Sequence, residues 1–295
     1  MVTRPPQPED EPRIDLHTHT RCSDGTESVE ELVAQAARAG LDTIALTDHD
    51  TTAGWQEAAR AAARHGVRVV PGIEVSAEHG HLSVHVLALL PDPSEDTDLA
   101  RQMKRARSSR DARARRMVER LAEDHPITWE DVAAQVAGEN TTVGRPHIAD
   151  ALVARGIVPD RSAAFSHLLS PTSAYYVRYY APDPATAVRS IVAAGGVAVA
   201  AHPGSSTRDG SLPEDLLEEM VDAGLAGLEV DHREHDDVSR ARLSAFARSH
   251  GLLETGGSDY HGAGKPNRLG ENRTRPAVLA ALLERATSRT EVLAP

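Results

Sequence analysis

Aromatic side chains are nearly missing from this chain: Phe, Trp and Tyr together make up 3% of it. Its core must therefore be built from Ala, Val, Leu and Ile. There is one cysteine, Cys22, which excludes an internal disulfide and every cysteine-based zinc cluster. Lysine is almost as scarce, with only Lys104 and Lys265. No apolar run reaches membrane-spanning length and no secretory leader is visible, so the expectation is a cytoplasmic protein with no membrane partner. Positive charge is in deficit: the net charge is −12 over 295 residues. That argues against a protein that coats nucleic acid by charge alone. It does not argue against an anionic substrate, because bound divalent cations reverse a local potential.

What is present is a βα rhythm. Residues 1–12, rich in proline and acid, read as a disordered tail. A strand at 13–17 leads to a helix near 28–39, with Ser28 as N-cap, Glu31 completing a capping box and Gly40 at the stop. Strand 43–47, helix 53–65 and strands 67–74 and 81–90 follow, the last two expected to form a hairpin across Ala77–Gly80. Alternation breaks over 97–181, which reads as a mainly helical insertion. It resumes with helix 184–194, strand 197–201, helix 213–223, strand 227–231, helix 236–250, strand 252–256 and a last helix at 276–288. Recurrent βα units point to an α/β barrel with its site at the carboxyl ends of the strands. The barrel would comprise 13–96 and 182–295.

Histidine is plentiful, at fifteen residues, and six of them stand in short motifs that also carry acids or follow apolar runs. These are Asp15-Leu16-His17-Thr18-His19 with Asp24 close behind, Thr47-Asp48-His49, Gly72-Ile73-Glu74, Val84-His85, Ala201-His202-Pro203 and Ser258-Asp259-Tyr260-His261. His17 and His19, two apart on a strand, share a face and suit one metal. A single such histidine is more often an ordinary core or surface residue; a series of them at successive strand ends implies one assembled site. Imidazole and carboxylate together suit Mn, Fe or Zn, and bridging carboxylates suit more than one ion.

In order and spacing, DLHTHT, SDG, LTDHD, GIE, the strand around His85, AHP and SDYH resemble the PHP (polymerase and histidinol phosphatase) family. The resemblance implies a distorted (β/α)7 TIM-like barrel, the PHP fold, holding two to three divalent metals, manganese foremost, with iron, zinc or magnesium also suited. It implies that His17, His19, Glu74 and Asp259 hold one metal, that Glu74, His85 and His202 hold a second, and that Asp24, His49 and His261 hold a third. The nucleophile would be a metal-bound water, with no protein nucleophile.

Other readings fit less well. Asp48-His49-Asp50-Thr51-Thr52 has the form of a haloacid-dehalogenase nucleophile loop, but the Asp236-Asp237 pair precedes Lys265 instead of following it. A metal amidohydrolase would bridge its ions with a modified mid-barrel lysine, and neither lysine follows such a strand. A cysteine phosphatase would need arginine where Ser28 stands.

Residues 101–120 hold nine Lys or Arg against Asp111 and Glu119. Most read as a solvated helix face. Leu99, Met103, Ala106, Ala114, Met117 and Leu121 define an apolar stripe, and Arg110 falls on it with Arg113 beside it. Inward-facing arginines need anionic partners; either a phosphate or a structural salt bridge would serve. Gly144-Arg145-Pro146-His147 opens a second helix, where Arg145 and His147 either add donors for an anion or, in the case of His147, simply cap the helix. The insertion and this motif look most like the subgroup of nucleoside 3′,5′-bisphosphate phosphatases. The expected activity is therefore metal-dependent hydrolysis of the 3′-phosphate of pAp-like molecules, with Arg110, Arg113, Arg145 and His147 holding the other phosphate. The alternative is a 5′→3′ exoribonuclease on short RNA. Histidinol phosphatase and a non-catalytic polymerase-associated module stand behind these.

Overall fold

The computed structural model describes residues 11–80, 82–136, 143–205 and 210–295. Most of the expected tail, residues 1–10, lies outside the described residues, as does His81. Seven strands run in chain order around one sheet: β1 (Ile14–Thr18), β2 (Thr43–Leu46), β3 (Arg68–His79), β4 (Leu82–Leu89), β5 (Val197–Ala200), β6 (Gly227–Asp231) and β7 (Leu253–Gly256). All neighbours are parallel except β4, which runs antiparallel to both β3 and β5. A parallel bridge from Thr18 to Tyr260, just past β7, brings the two edges together into a nearly closed, distorted TIM-like barrel.

Helices follow the strands as the apolar spacing requires. The first are α1 (Val29–Arg38) and α2 (Trp55–His65). The first four of the described helices between β4 and β5 are α3 (Asp98–Leu121), α4 (Trp129–Ala133), α5 (Arg145–Ala154) and α6 (Arg161–Ser166). Then come α7 (Pro184–Ala193), α8 (Glu214–Asp222), α9 (Asp237–Ser249) and α10 (Pro276–Arg285). Ser28 and Glu31 form the expected capping box on α1, and Gly66 ends α2 in a left-handed conformation, φ 70°.

One face of the sheet packs on helices: Ile44, Leu46 and Val69 meet α1 and α2, and Ile73, Val86, Ala198 and Leu228 meet α7, α8 and α9. The other face gathers Ala45, Val70, Leu87 and Val199 with α10. Helices α3, α5 and α6 carry a separate cluster of their own, from Ala114, Met117 and Leu121 to Ile148, Leu152 and Ala164. Aliphatic residues and alanine dominate all four clusters, with Phe246 and Tyr260 the buried aromatics among them, so the scarcity of aromatics is no obstacle to a close-packed core.

The structure differs from the sequence reading at β3. That strand does not stop at Glu74 but continues five residues further, because Ser76, Ala77, Glu78 and His79 pair with His85, Val84, Ser83 and Leu82. Glu74 and His85 are therefore mid-strand. They still reach the common site because β4 runs backwards, so its first half lies at the end where its neighbours finish.

Candidate metal centre

Glu74 is the hub. Its Oε2 lies 3.2 Å from His17 Nε2, 3.0 Å from His19 Nε2 and 3.3 Å from His49 Nδ1. Its Oε1 lies 2.6 Å from His85 Nδ1 and 3.0 Å from His202 Nε2. Asp259 Oδ1 adds a second carboxylate 3.5 Å from His17 Nε2 and 3.4 Å from His19 Nε2. On the far side of His19, Asp24 Oδ1 sits 3.1 Å from His261 Nε2, and Asp24 Oδ2 sits 3.8 Å from His49 Nε2. All nine residues singled out in the sequence thus converge, and nearly all are buried.

Among the described residues, three donor groups are compact enough for one ion each: His17, His19, Glu74 and Asp259; His49, Glu74 and His85; and His19, Asp24, His49 and His261. The first matches the set the resemblance implied. The others differ in that His49 also faces Glu74 and His19 also faces Asp24, while His202 reaches Glu74 from the opposite side.

The electrostatics call for cations. The Nε2 atoms of His17 and His19 stand 3.1 Å apart, so either a proton lies between them or a cation takes both lone pairs. His49 Nδ1 and His261 Nε2 are buried and make no hydrogen bond among the described residues, though each faces a carboxylate. His261 donates its Nδ1–H to the Asp259 carbonyl at 2.8 Å, which leaves Nε2 as the ligating nitrogen. Burial, with Lys265 and His19 close by, pushes the His261 imidazole down to about 4, so it is neutral, as a ligand must be. Burial opposes ionisation of Glu74 too, but the imidazoles of His49, His85 and His17 hold its carboxyl well below the usual range. For His17, burial works against charge, yet Glu74, Glu229 and Asp259 outweigh it and hold the ring well above its ordinary value. Buried carboxylates that draw protons onto neighbouring imidazoles are suited to divalent metal ions in their place.

Local backbone strain accompanies the site. Among the described residues, His202 (φ 35°), Asp259 (φ 52°) and Asp50 (φ 53°) are three of four non-glycine residues with positive φ, each costing roughly 1–2 kcal/mol. Such strain persists where the surroundings over-determine a conformation.

Three residues not expected as ligands also shape the centre. Asp48 accepts from Thr20 N–H at 2.8 Å, Thr20 Oγ1 at 2.6 Å and Ser23 Oγ at 2.7 Å, so it folds the turn that aims Asp24 inward. Lys265 Nζ donates to Asp259 Oδ2 at 2.7 Å. Glu229, fully buried on β6, bonds His17. Position within the Thr47-Asp48-His49 motif was a signal for Asp48, and a lone acid inside an apolar strand was a signal for Glu229. His232 and His235 stand behind the centre. His235 accepts from Gly204 N–H and donates to the Val230 carbonyl, both at 3.0 Å.

The four expected substrate-binding residues lie on α3 and α5. Arg110 is buried, and the anionic partner that the sequence left open is Asp50, whose Oδ2 is 3.2 Å from Nη2; the guanidinium also donates to Ser76 Oγ. Arg113, 5% exposed, differs: among the described residues no carboxylate pairs with it. Its guanidinium carbon instead stands 4.5 Å from the Tyr179 ring centroid. Burial, with Arg145 next in weight, pushes the Arg113 guanidinium down to about 10. Arg145 donates to the Leu169 carbonyl at 3.2 Å and lies 5.7 Å from the Tyr176 ring centroid. His147 accepts the Gly144 N–H through Nδ1 at 3.1 Å and so caps α5; its Nε2 then carries the proton of the neutral ring.

Comparison with known proteins agrees with this geometry. A family model described as the PHP domain matches residues 15–143. The chain is 37% identical over 266 residues, 90% of it and 93% of the relative, to a 3′,5′-nucleoside bisphosphate phosphatase of Chromobacterium violaceum. It is 35% identical over 260 residues (84% of this chain, 94% of the relative) to a phosphoribosyl 1,2-cyclic phosphate 1,2-diphosphodiesterase of Eggerthella lenta. It is 32% identical over 251 residues (84% and 90%) to a 5′-3′ exoribonuclease of Haemophilus influenzae. A crystal structure from Bifidobacterium adolescentis, described as a metal-dependent phosphoesterase, superposes with a TM-score of 0.90 at 46% identity, covering 94% of this chain and 97% of that one. With the donor set complete and the likeness spanning nearly its whole length, this chain belongs to the PHP domain family.

Proposed function

We propose that this PHP-domain phosphoesterase hydrolyses the 3′-phosphate of nucleoside 3′,5′-bisphosphates, leaving a 5′-nucleotide. The observation that carries the reading is Arg113, a buried cation with no carboxylate partner among the described residues, set close to Arg145. A buried unpaired guanidinium is costly, and an anionic ligand relieves the cost. A planar fork of N–H donors suits a phosphate. The likeness to the Chromobacterium violaceum bisphosphate phosphatase supports the same reading.

In this reading residues 97–181 form a substrate-capping subdomain on a barrel made of 13–96 and 182–295. His17, His19, Asp24, His49, Glu74, His85, His202, Asp259 and His261 would hold two or three divalent ions, manganese foremost. When bound, the ions supply Lewis acidity, acidifying water and offsetting charge on the reacting phosphate. The chain itself contributes position. Arg113, Arg145 and the His147 Nε2–H grip the other phosphate, and Arg110 fixes α3 against the barrel through Asp50 and Ser76. Binding energy from the distant phosphate thereby orients the reacting one. The compartment is the cytoplasm.

A second reading, 5′→3′ cleavage of short RNA, draws on the Haemophilus influenzae relative and needs the same donors. Histidinol phosphate, whose single phosphate would go to the metals and whose remainder is cationic, would leave Arg113 and Arg145 without a partner. Turnover of pAp, AMP and a short 5′-phosphorylated RNA with manganese present tests the proposal. The bisphosphate should be preferred; a preference for AMP would sink the second-phosphate handle, and faster cleavage of RNA would favour the second reading.

A further inference from the structure

We infer that Glu229 is a positioning residue for the metal centre, setting the tautomer of His17 and the backbone turn of His202 together. The inference rests on the metal reading of the site. Strand β6 carries none of the nine donors, yet it sends this carboxylate, 1% exposed, directly behind two of them. His17 Nδ1 lies 3.2 Å from Oε1 and 3.3 Å from Oε2 of Glu229, while the His202 backbone N–H donates to Oε2 at 2.8 Å.

Each contact has a consequence at the centre. A carboxylate accepts and cannot donate, so His17 must keep its proton on Nδ1 and present Nε2 towards Glu74, Asp259 and His19. The carboxylate also raises the basicity of the ring it bonds. At His202, the same oxygen supports a non-glycine residue at φ 35°, which brings its Nε2 to 3.0 Å from Glu74 Oε1. One side chain therefore braces donors arriving from β1 and from the end of β5. Gly257, past β7, completes the arrangement: a Cβ there would collide with Glu229 Oε1 and with the His17 Cβ. The chain leaves that position bare where β1, β6 and β7 converge.

Replacing Glu229 by Gln keeps the shape and removes the charge. The amide oxygen can take the Oε2 position and keep the His202 N–H, but the amide N–H2 then stands where Oε1 was, 3.2 Å from His17 Nδ1, donor against donor. Manganese titration of metal-free protein should show affinity reduced roughly ten- to hundredfold in Glu229→Gln, with the metal-free protein still folded by circular dichroism. The loss should shrink in a His17→Asn background, where only the His202 contact remains, and persist in full in a His49→Asn background, a coupling that general loosening of the core would not produce. Should Glu229→Gln not fold, Glu229→Asp is read in its place: its shortened carboxylate should also weaken manganese binding. Unchanged affinity in the variant, or equal losses in both backgrounds, overturns the inference. If the wild-type protein binds no manganese at all, the metal reading itself falls.

Discussion

The strand ends and the helical insertion solve opposite electrostatic problems. At the strand ends, carboxylates such as Glu74 and Asp259 gather imidazoles around themselves and leave a demand for positive charge. On α3 and α5, guanidiniums such as Arg113 are buried among tyrosines and leave a demand for negative charge. Phosphate chemistry needs both: cations where charge develops, and a separate grip on the part of the substrate that does not react. The metal centre is built on strands locked by ladders and by buried acceptors. The arginines ride on helices with their own apolar cluster, tied to the barrel by Arg110–Asp50 and by Arg161, which bonds both Asp150 and the Gly264 carbonyl. In the proposed reading, chemistry belongs to the strand ends and recognition to the helical layer.

The sharpest way to break this division is to remove the metal. Chelation should abolish turnover of a bisphosphate and of a simple aryl phosphate alike, and manganese should restore both; activity surviving exhaustive chelation would refute a metal-dependent centre. Arg110→Ala strips a buried ion pair and should cost about 3–5 kcal/mol of stability, read from denaturant unfolding. Because it loosens the docking of α3, it should slow both substrates similarly. A selective loss on the bisphosphate would instead make Arg110 a phosphate ligand.

Arg113→Ala should do the reverse. It removes a charged donor worth about 1.5–3 kcal/mol to a bound anion, roughly ten- to hundredfold in kcat/KM for the bisphosphate, while sparing the aryl phosphate. Equal losses on both would deny it a role in recognition. The acidity of the centre gives a further test. Burial disfavours a charged His19 ring, but Asp259 and Glu74 hold it up at about 9, so protons compete with metal below that pH. Manganese affinity measured calorimetrically should rise with pH, by up to about tenfold per unit for each displaced proton, and level off beyond it. A flat profile would mean that no proton is displaced. The smallest effect belongs to His147→Ala, which should cost about 1 kcal/mol through the lost α5 cap, readable by thermal unfolding. A loss of bisphosphate turnover beyond that would show its Nε2–H at work on the substrate.

Much of the site was legible because its motifs are local. Asp15 to His19, Ala201 to Pro203, and Ser258 to His261 each place metal-type ligands at or just past the end of an apolar run, and a barrel brings successive strand ends together. The remaining features depend on partners far away in sequence. Asp50, distant in the chain from Arg110, gives no sign of the ion pair it makes. Glu229 looks like a stray acid until β1 is placed beside β6 and β7. His147 was read both as anion donor and as cap because the two uses share a residue type, and only the Gly144 N–H contact shows that the cap is made.

The sequence by itself determined the alternation of elements, the family and the chemical type of nearly every donor, because periodicity, caps and short ligand motifs are written within a few residues of one another. The tertiary structure alone decided which nitrogen of each imidazole faces inward, that Glu74 stands at the hub and which buried arginine is matched by a carboxylate. Those are matters of distance and burial between segments far apart along the chain, and no local pattern encodes them.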